Sequence, residues 1–284
     1  MHTLFADMFN REPNHIIDGD YYFGDAPSEV DEKIVEKQTE ITVNMMEQKR
    51  KKTHDQWRGI STFAVCDDIA TQIAEEGKPF MEIASARWFG LAPAVFSKNP
   101  TIPCLVTDIS SGIVQFCRQY ANLYLPETNI SLAALDATKI PIKDNSLDYV
   151  TSILGLGSPC VRNEKGLAVV NEVYRVLKSG GILVTEECEW EYNEAAAEWV
   201  RLAQESPETE LTEFMRSGWE YLLYRKGLTW TSVLEAAGFV VEREQSCGYI
   251  KTKKRDVSFP DRMETIHLSS EHHHKRTLFI ARKP

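Results

Sequence analysis

No two of the six cysteines, at positions 66, 104, 117, 160, 188 and 247, stand in a CxxC pair, and several fall inside apolar runs. That is the usage of a reducing cytosol, where free cysteine behaves as a small hydrophobe. Basic residues are also in deficit, with 32 Lys and Arg against 42 Asp and Glu and a formal net charge of −10. Binding to a phosphate backbone is driven by lysine and arginine, so nucleic acid is excluded as the main partner. No apolar run approaches a membrane span, and the opening "MHTLFADMFNREPNH" is too polar for a signal peptide. A cytoplasmic protein without membrane contact is therefore expected. Internal repeats and low-complexity tracts are absent as well. What is present is ample core material: 43% of the 284 residues are hydrophobic, enough for one large domain with embellishments.

Residues 1–27 carry Pro13, Gly19, Gly24 and Pro27 together with "YYFGD", and read as an irregular aromatic flap. Ser28 and Asp31 form a capping-box-like start for a helix over about 29–56, with Val30, Ile34, Ile41 and Met45 on one stripe. A second helix over roughly 61–76 stops at Gly77. Apolar runs at 80–84, 103–107, 131–135, 148–154 and 181–185 then alternate with helical stretches near 89–97, 110–123 and 164–178. This alternation predicts an α/β fold, a Rossmann-like parallel sheet with helices on both faces. The tail breaks the pattern, because "GFVVERE" at 238–244 and "RTLFIARK" at 276–283 are strand-like with only a loop between them. They are read as an antiparallel pair at the sheet edge. A helical stretch over about 193–237, interrupted at Ser206 and Pro207, separates strand five from that pair. The domain reading is a flap and cap helix over 1–60, and a core over 61–284 with a helical insertion at about 193–227.

In an open parallel sheet, ligands bind beyond the carboxyl ends of the strands, near the point where strand order reverses. The residues there are acids: Glu82 after strand one, Asp108 ending "PCLVTD" and Asp136 ending "ISLAALD". An acid at the end of strand two can accept both hydroxyl hydrogens of a ribose. An acid at the end of strand three, with the amide of Ala137 beside it, can read the edge of an adenine. The competing explanation is that each acid merely caps the next helix or turn, as Asp commonly does.

The stretches "LAALDATKIPIKDNSLDYVTSILGLG" at 132–157 and "EVYRVLKSGGILVTEE" at 172–187 resemble the class I S-adenosylmethionine-dependent methyltransferases. Within that class they are most similar to the branch holding the ubiquinone and menaquinone C-methyltransferases. The resemblance covers about residues 62–190 and the last two strands. It implies a seven-stranded sheet with an antiparallel last strand and S-adenosylmethionine as cofactor. Carried over by position, Asp108 and its neighbour Ile109 hold the ribose side, Asp136 and Ala137 the adenine, and Leu154 and Gly155 lie beside the methyl group. Glu82 and the turn Ala84, Ser85, Ala86 and Arg87 occupy the place of the family's glycine-rich loop.

Here the pattern departs, since Ala84, Ala86 and Trp88 stand where three glycines are expected. The two alanines add only a methyl each and are tolerated if those positions have negative φ. Trp88 either packs over the ligand or points away, the second if the turn is longer and Gly90 supplies the third glycine. Arg87 is read as a salt-bridge partner for the methionine carboxylate or as a surface ion pair.

Trp190, Trp199, Trp219 and Trp230, with Tyr192, Phe214, Tyr221 and Tyr224, are expected mostly to pack helices, some lining a pocket for an aromatic or hydrophobic acceptor. The acids of "EECEWEYNE" at 186–194 could instead attract an amine. Candidate general bases are His15, Tyr21 and Tyr22 in the flap and Glu186 after strand five. "EHHHKR" at 271–276 is read as an exposed turn, since adjacent histidines diverge, and no metal is expected. The expected activity is methyl transfer to a small organic acceptor, the protein acting as a homodimer. Its main rival is a methyltransferase fold that no longer methylates, serving as an accessory subunit or catalysing another reaction such as a cyclisation. A nicotinamide dehydrogenase would explain neither Asp136 nor the antiparallel last strand.

Overall fold

The structure, a computed structural model, describes residues 3–24, 59–86, 89–156, 165–188, 228–252, 256–259, 264–267 and 272–284. The helix expected over 29–56, most of the stretch over 193–237, and Arg87, Trp88, Trp190, Trp199, Tyr192, Phe214, Trp219, Tyr221 and Tyr224 lie outside the described residues.

Helix α2 (Gly59–Glu76) buries Cys66, Ile69, Ala70, Ile73 and Ala74, the spacing of one helical face. Its chain leaves through Gly77 at φ +62, whose amide returns to the Ile73 carbonyl at 3.2 Å. Glycine adopts that left-handed exit without steric cost. The strands that follow are β3 (Phe80–Glu82), β4 (Cys104–Asp108), β5 (Ile130–Ala134), β6 (Leu147–Ile153) and β7 (Leu177–Cys188). They pair in parallel in the order β5-β4-β3-β6-β7, so strand order reverses between β3 and β6.

Alternate residues of each strand feed opposite layers, which is why the strands read as nearly unbroken apolar runs. Phe80, Cys104, Val106, Ile130 and Leu132 meet α2, α3 (Ala92–Phe96) and α4 (Ser111–Tyr124). Met81, Leu105, Ala133 and Val150 meet α1 (Thr3–Met8), α5 (Lys165–Val176) and α6 (Trp230–Ala236) on the other face. Ser110 caps α4 by accepting from the Ile113 amide, and Thr229 and Ser232 close a capping box on α6.

At the far edge, β11 (His272–Arg282) runs antiparallel to β7, and β8 (Val240–Thr252) antiparallel to β11. This is the antiparallel pair expected from the tail, longer than the sequence suggested. Between them a two-stranded sheet joins β9 (Asp256–Phe259) to β10 (Glu264–His267). His272, His273 and His274 are strand residues opposite Thr252, Lys251 and Ile250, which corrects the reading of a turn there.

The segment expected to be an irregular flap instead holds a hairpin of β1 (His15–Ile17) and β2 (Asp20–Tyr22), turning through Asp18 at φ 52 and Gly19 at φ +83. Strand β2 adds to β5 in parallel, so the main sheet has nine strands where seven were expected. Asp20 is 1% exposed and is ion-paired with Arg118 of α4, whose Nε lies 3.0 Å from Oδ2. That pair ties the hairpin to the layer of helices over the sheet.

Candidate functional site

The loop after β3 is built around a buried carboxylate. Glu82 is 0% exposed, and its Oε2 accepts from the Leu91 amide at 2.9 Å and from the Thr151 hydroxyl at 2.5 Å. Gly90, at φ +52, lies so close that a Cβ there would sit 1.7 Å from Oε1 of Glu82. Only glycine fits that position, so the longer turn with Gly90 as its third glycine matches the geometry.

Ala84 and Ala86 take φ 50 and 46, left-handed values. The condition under which these two alanines fit without strain is therefore not met. The loop keeps a path suited to glycine although the residues are alanine, each at a cost of about 1–2 kcal/mol from crowding of Cβ against the backbone. The energy that holds them there comes from their neighbours. The Ser85 amide donates to the Thr107 carbonyl at 3.0 Å, fastening the loop to β4.

Asp108 closes the next side. Its Oδ2 accepts from the Ala86 amide and its Oδ1 from the Ser110 amide, both at 3.0 Å. Burial raises its pKa above the usual carboxylate value, partly offset by the amides of Ser110, Ala86 and Ile109. Beside it Ile109 is 61% exposed, an apolar face turned to solvent at a strand end. Asp136 follows β5, two residues beyond the register partner of Asp108. Its Oδ1 accepts from both the amide and the hydroxyl of Thr138, at 2.9 and 2.7 Å. Asp136 thus caps the short 3-10 turn Ala137–Lys139, as the simpler explanation of a strand-end acid requires.

Across the switch point, the chain leaving β6 bends at Leu154, φ 57 and partly exposed. A Cβ on Gly155 would stand 2.8 Å from the Ala84 Cβ and 2.3 Å from the Ser152 hydroxyl, so the two loops touch through a position that only glycine fills. The structure brings Glu82, Ala84, Ser85, Ala86, Asp108 and Gly155 into one connected set, with Ile109, Asp136, Ala137 and Leu154 along the same sheet edge. Arg87 is outside the described residues.

One of the four candidate bases, Glu186, borders this edge, its carbonyl accepting from the Leu154 amide at 2.7 Å. His15 is exposed on the edge strand β1, and Tyr21 and Tyr22 are core residues on opposite faces of β2. Burial, then Asp20, raises both tyrosine pKa values, Tyr22 to about 12. Glu186 is fully buried and ion-paired to Arg276 at 2.8 Å. Tyr21, Tyr22 and Glu186 are thus buried, whereas His15 is exposed.

Two supports went unread in the sequence. Thr151 is a polar residue inside an apolar strand opposite Glu82, a pattern that signals a partner for a buried acid. Glu187, 1% exposed, accepts from the Leu156 amide at 3.0 Å and from the Thr185 hydroxyl at 2.9 Å, and so holds the loop after β6. Among the described residues no group of His, Cys, Asp and Glu could hold a metal ion.

Parts of this chain are similar to known proteins. Residues 89–185 match the family described as a methyltransferase domain, a match that begins just after the alanine positions of the loop. The chain is 31% identical over 91 residues to a carboxy-S-adenosyl-L-methionine synthase of Shewanella woodyi, covering 32% of this chain and 35% of that protein. It is 33% identical over 124 residues to a demethylmenaquinone methyltransferase of Staphylococcus epidermidis, covering 42% of this chain and 46% of that protein. These matches span less than half the length of either relative. A solved structure from Bacillus halodurans, assigned to the methyltransferases, superposes with a TM-score of 0.53 at 17% identity, over 77% of this chain and 98% of that one. That last likeness concerns the fold alone. The methyltransferase-domain match thus rests on residues 89–185 and on partial relatives, and the fold agrees with it.

Proposed function

We propose that the protein binds S-adenosylmethionine at the carboxyl edge of β5, β4, β3 and β6 and transfers its methyl group to a small organic acceptor, aromatic or hydrophobic in character. The observation that carries this reading is the set of contacts from Glu82 through Ala84 and Ala86 to Asp108 and Gly155 at the topological switch point. The residues present fit the cofactor. The Asp108 carboxylate is aimed at the loop with acceptor capacity beyond its two amide bonds, which suits ribose hydroxyls. Ile109 offers an apolar surface for a base, and Asp136 with the Ala137 amide suits an adenine edge. Leu154 and Gly155 would lie beside the reacting methyl.

When bound, S-adenosylmethionine would supply a sulfonium-activated methyl group for in-line attack by the acceptor, with the thioether S-adenosylhomocysteine as leaving group. The protein's tasks are then alignment and exclusion of water. Glu82 and Gly90 fix the loop's far end, Asp108 fixes its near end, and Glu187 fixes the loop after β6. The demethylmenaquinone methyltransferase relatives support an acceptor of the aromatic, hydrophobic kind. A cytoplasmic location goes with this reading, supported by the described cysteines, which no disulfide joins. No described helix is long and apolar enough to cross a membrane.

The rival reading, a fold that no longer methylates, drew on the missing glycines. Ala84 and Ala86 keep a left-handed backbone suited to glycine, which weakens that motive at these two positions. The test is incubation of the purified protein with methyl-labelled S-adenosylmethionine and fractionated metabolite extract, including reduced naphthoquinones. Label entering an organic-soluble product supports the proposal, and no labelled product from any fraction contradicts it.

A further inference from the structure

The loop's alanines raise the question of what holds Ala86 in a conformation that alanine resists. Three groups meet its two flanking peptide groups. The Ala86 amide donates to Asp108 Oδ2 at 3.0 Å. Its carbonyl accepts from the Cys117 thiol at 3.4 Å and from the Ser85 hydroxyl at 3.3 Å. The thiol and the hydroxyl thus converge on the same carbonyl. Cys117 belongs to α4 and is 1% exposed, and Ser85 is 3% exposed. The same helix meets the loop a second time, where the Tyr120 ring packs against buried Phe89, 5.5 Å between centroids. Phe89 is itself left-handed, at φ 58.

We infer that Cys117 is a positioning residue for cofactor binding, holding the Ala86 peptide in the left-handed conformation that a glycine would adopt unaided. The inference rests on the proposed cofactor site and adds to it a dependence that a glycine-containing loop would not have. A peptide at Gly can take positive φ at no steric cost. A peptide at Ala relaxes toward negative φ once its restraints are removed, carrying the Ala86 amide away from Asp108 and the loop out of register with Gly155. Ligand binding must then restore the strained path, and affinity falls. Cys117 thus acts through Ala86 and touches no ligand itself. Burial also pushes the thiol pKa up, so it stays protonated and able to donate at neutral pH.

The test is a double-mutant cycle between Cys117→Ala and Ala86→Gly on the full chain, read in two ways. The first is the Kd for S-adenosylhomocysteine by calorimetric titration. The second is the amide hydrogen-exchange rate of residues 83–91 without ligand. In the Ala86 background, Cys117→Ala is expected to raise Kd about fivefold and to accelerate loop exchange by a similar factor, the worth of one modest hydrogen bond. Cys117→Ser, which keeps a donor, is expected to restore most of both. In the Ala86→Gly background, Cys117→Ala is expected to change neither by more than about twofold. A merely structural role would lower thermal stability and change Kd equally in both backgrounds, and that result overturns the inference. If the parent protein does not bind S-adenosylhomocysteine, the functional reading fails, while the exchange cycle still decides the role of Cys117.

Discussion

Gly90, Gly155, Ala84 and Ala86 show how single residues set the shape of the site. At Gly90 the Glu82 carboxylate occupies the place of a side chain, and the left-handed φ would add strain to any residue with a Cβ. Gly90→Ala is expected to destabilise the protein by at least about 3 kcal/mol, a fall in Tm of roughly 6 °C or more by thermal unfolding. An unchanged Tm would refute the packing of Gly90 on Glu82. Asp108 makes the site sensitive to pH. Its folded pKa is raised, so it begins to take up a proton above the ordinary carboxylate range of about 4. Protonation turns one oxygen into a donor and weakens the carboxyl as an acceptor of the two amides and of ribose hydroxyls. Affinity for S-adenosylhomocysteine is therefore expected to hold at neutral pH and to fall as pH drops through that raised value, with the slope of one proton. Titration calorimetry over a pH series checks this, and a pH-independent Kd down to about 4 would contradict it. At this scale the acids were legible in the sequence, because their order after successive strands is informative. Backbone φ was not, since the alanines hid a conformation that their neighbours impose.

Helices and strands were legible wherever burial imposes a period, as in α2 with Cys66, Ile69, Ala70 and Ile73 on one face. The hairpin of β1 and β2 was not, because each strand has three residues and too few repeats to show alternation. Its one local signal is Asp18-Gly19, a pair suited to a tight hairpin turn with two positive φ values. The Asp20–Arg118 pair that fastens the hairpin joins residues 98 apart in the chain, and no local pattern announces it. The end of α2 is fastened electrostatically as well. The Glu76 carboxyl is held down at about 2, chiefly by the Lys78 ammonium and then by the Tyr149 hydroxyl of β6. A depressed carboxylate contributes stability above its unfolded pKa and loses it as pH falls through the folded one. Wild type and Glu76→Gln should therefore differ in Tm at neutral pH and converge between about 4.5 and about 2. A gap that persists to pH 2 would assign the effect to packing instead.

For the molecule as a whole, the order β5-β4-β3-β6-β7 followed by antiparallel β11 gives one edge where all the informative loops emerge. Alternating elements and the paired strands of the tail made that architecture readable before any coordinates. The acceptor's side of the proposed site was less readable, because an aromatic residue in a sequence can equally serve packing or binding. Trp230, the one of those tryptophans among the described residues, is a core residue whose Nε1 donates to the Cys188 carbonyl at 3.0 Å. The central claim is that this edge binds the adenosyl portion of S-adenosylmethionine through Asp108. Calorimetric titration of ligand-free protein with S-adenosylhomocysteine, for wild type and Asp108→Ala, tests it most directly. The account predicts one saturable site in the wild type and loss of that site in the variant with the fold intact by circular dichroism. No binding to wild type at millimolar ligand, or equal affinity for the two proteins, would contradict it.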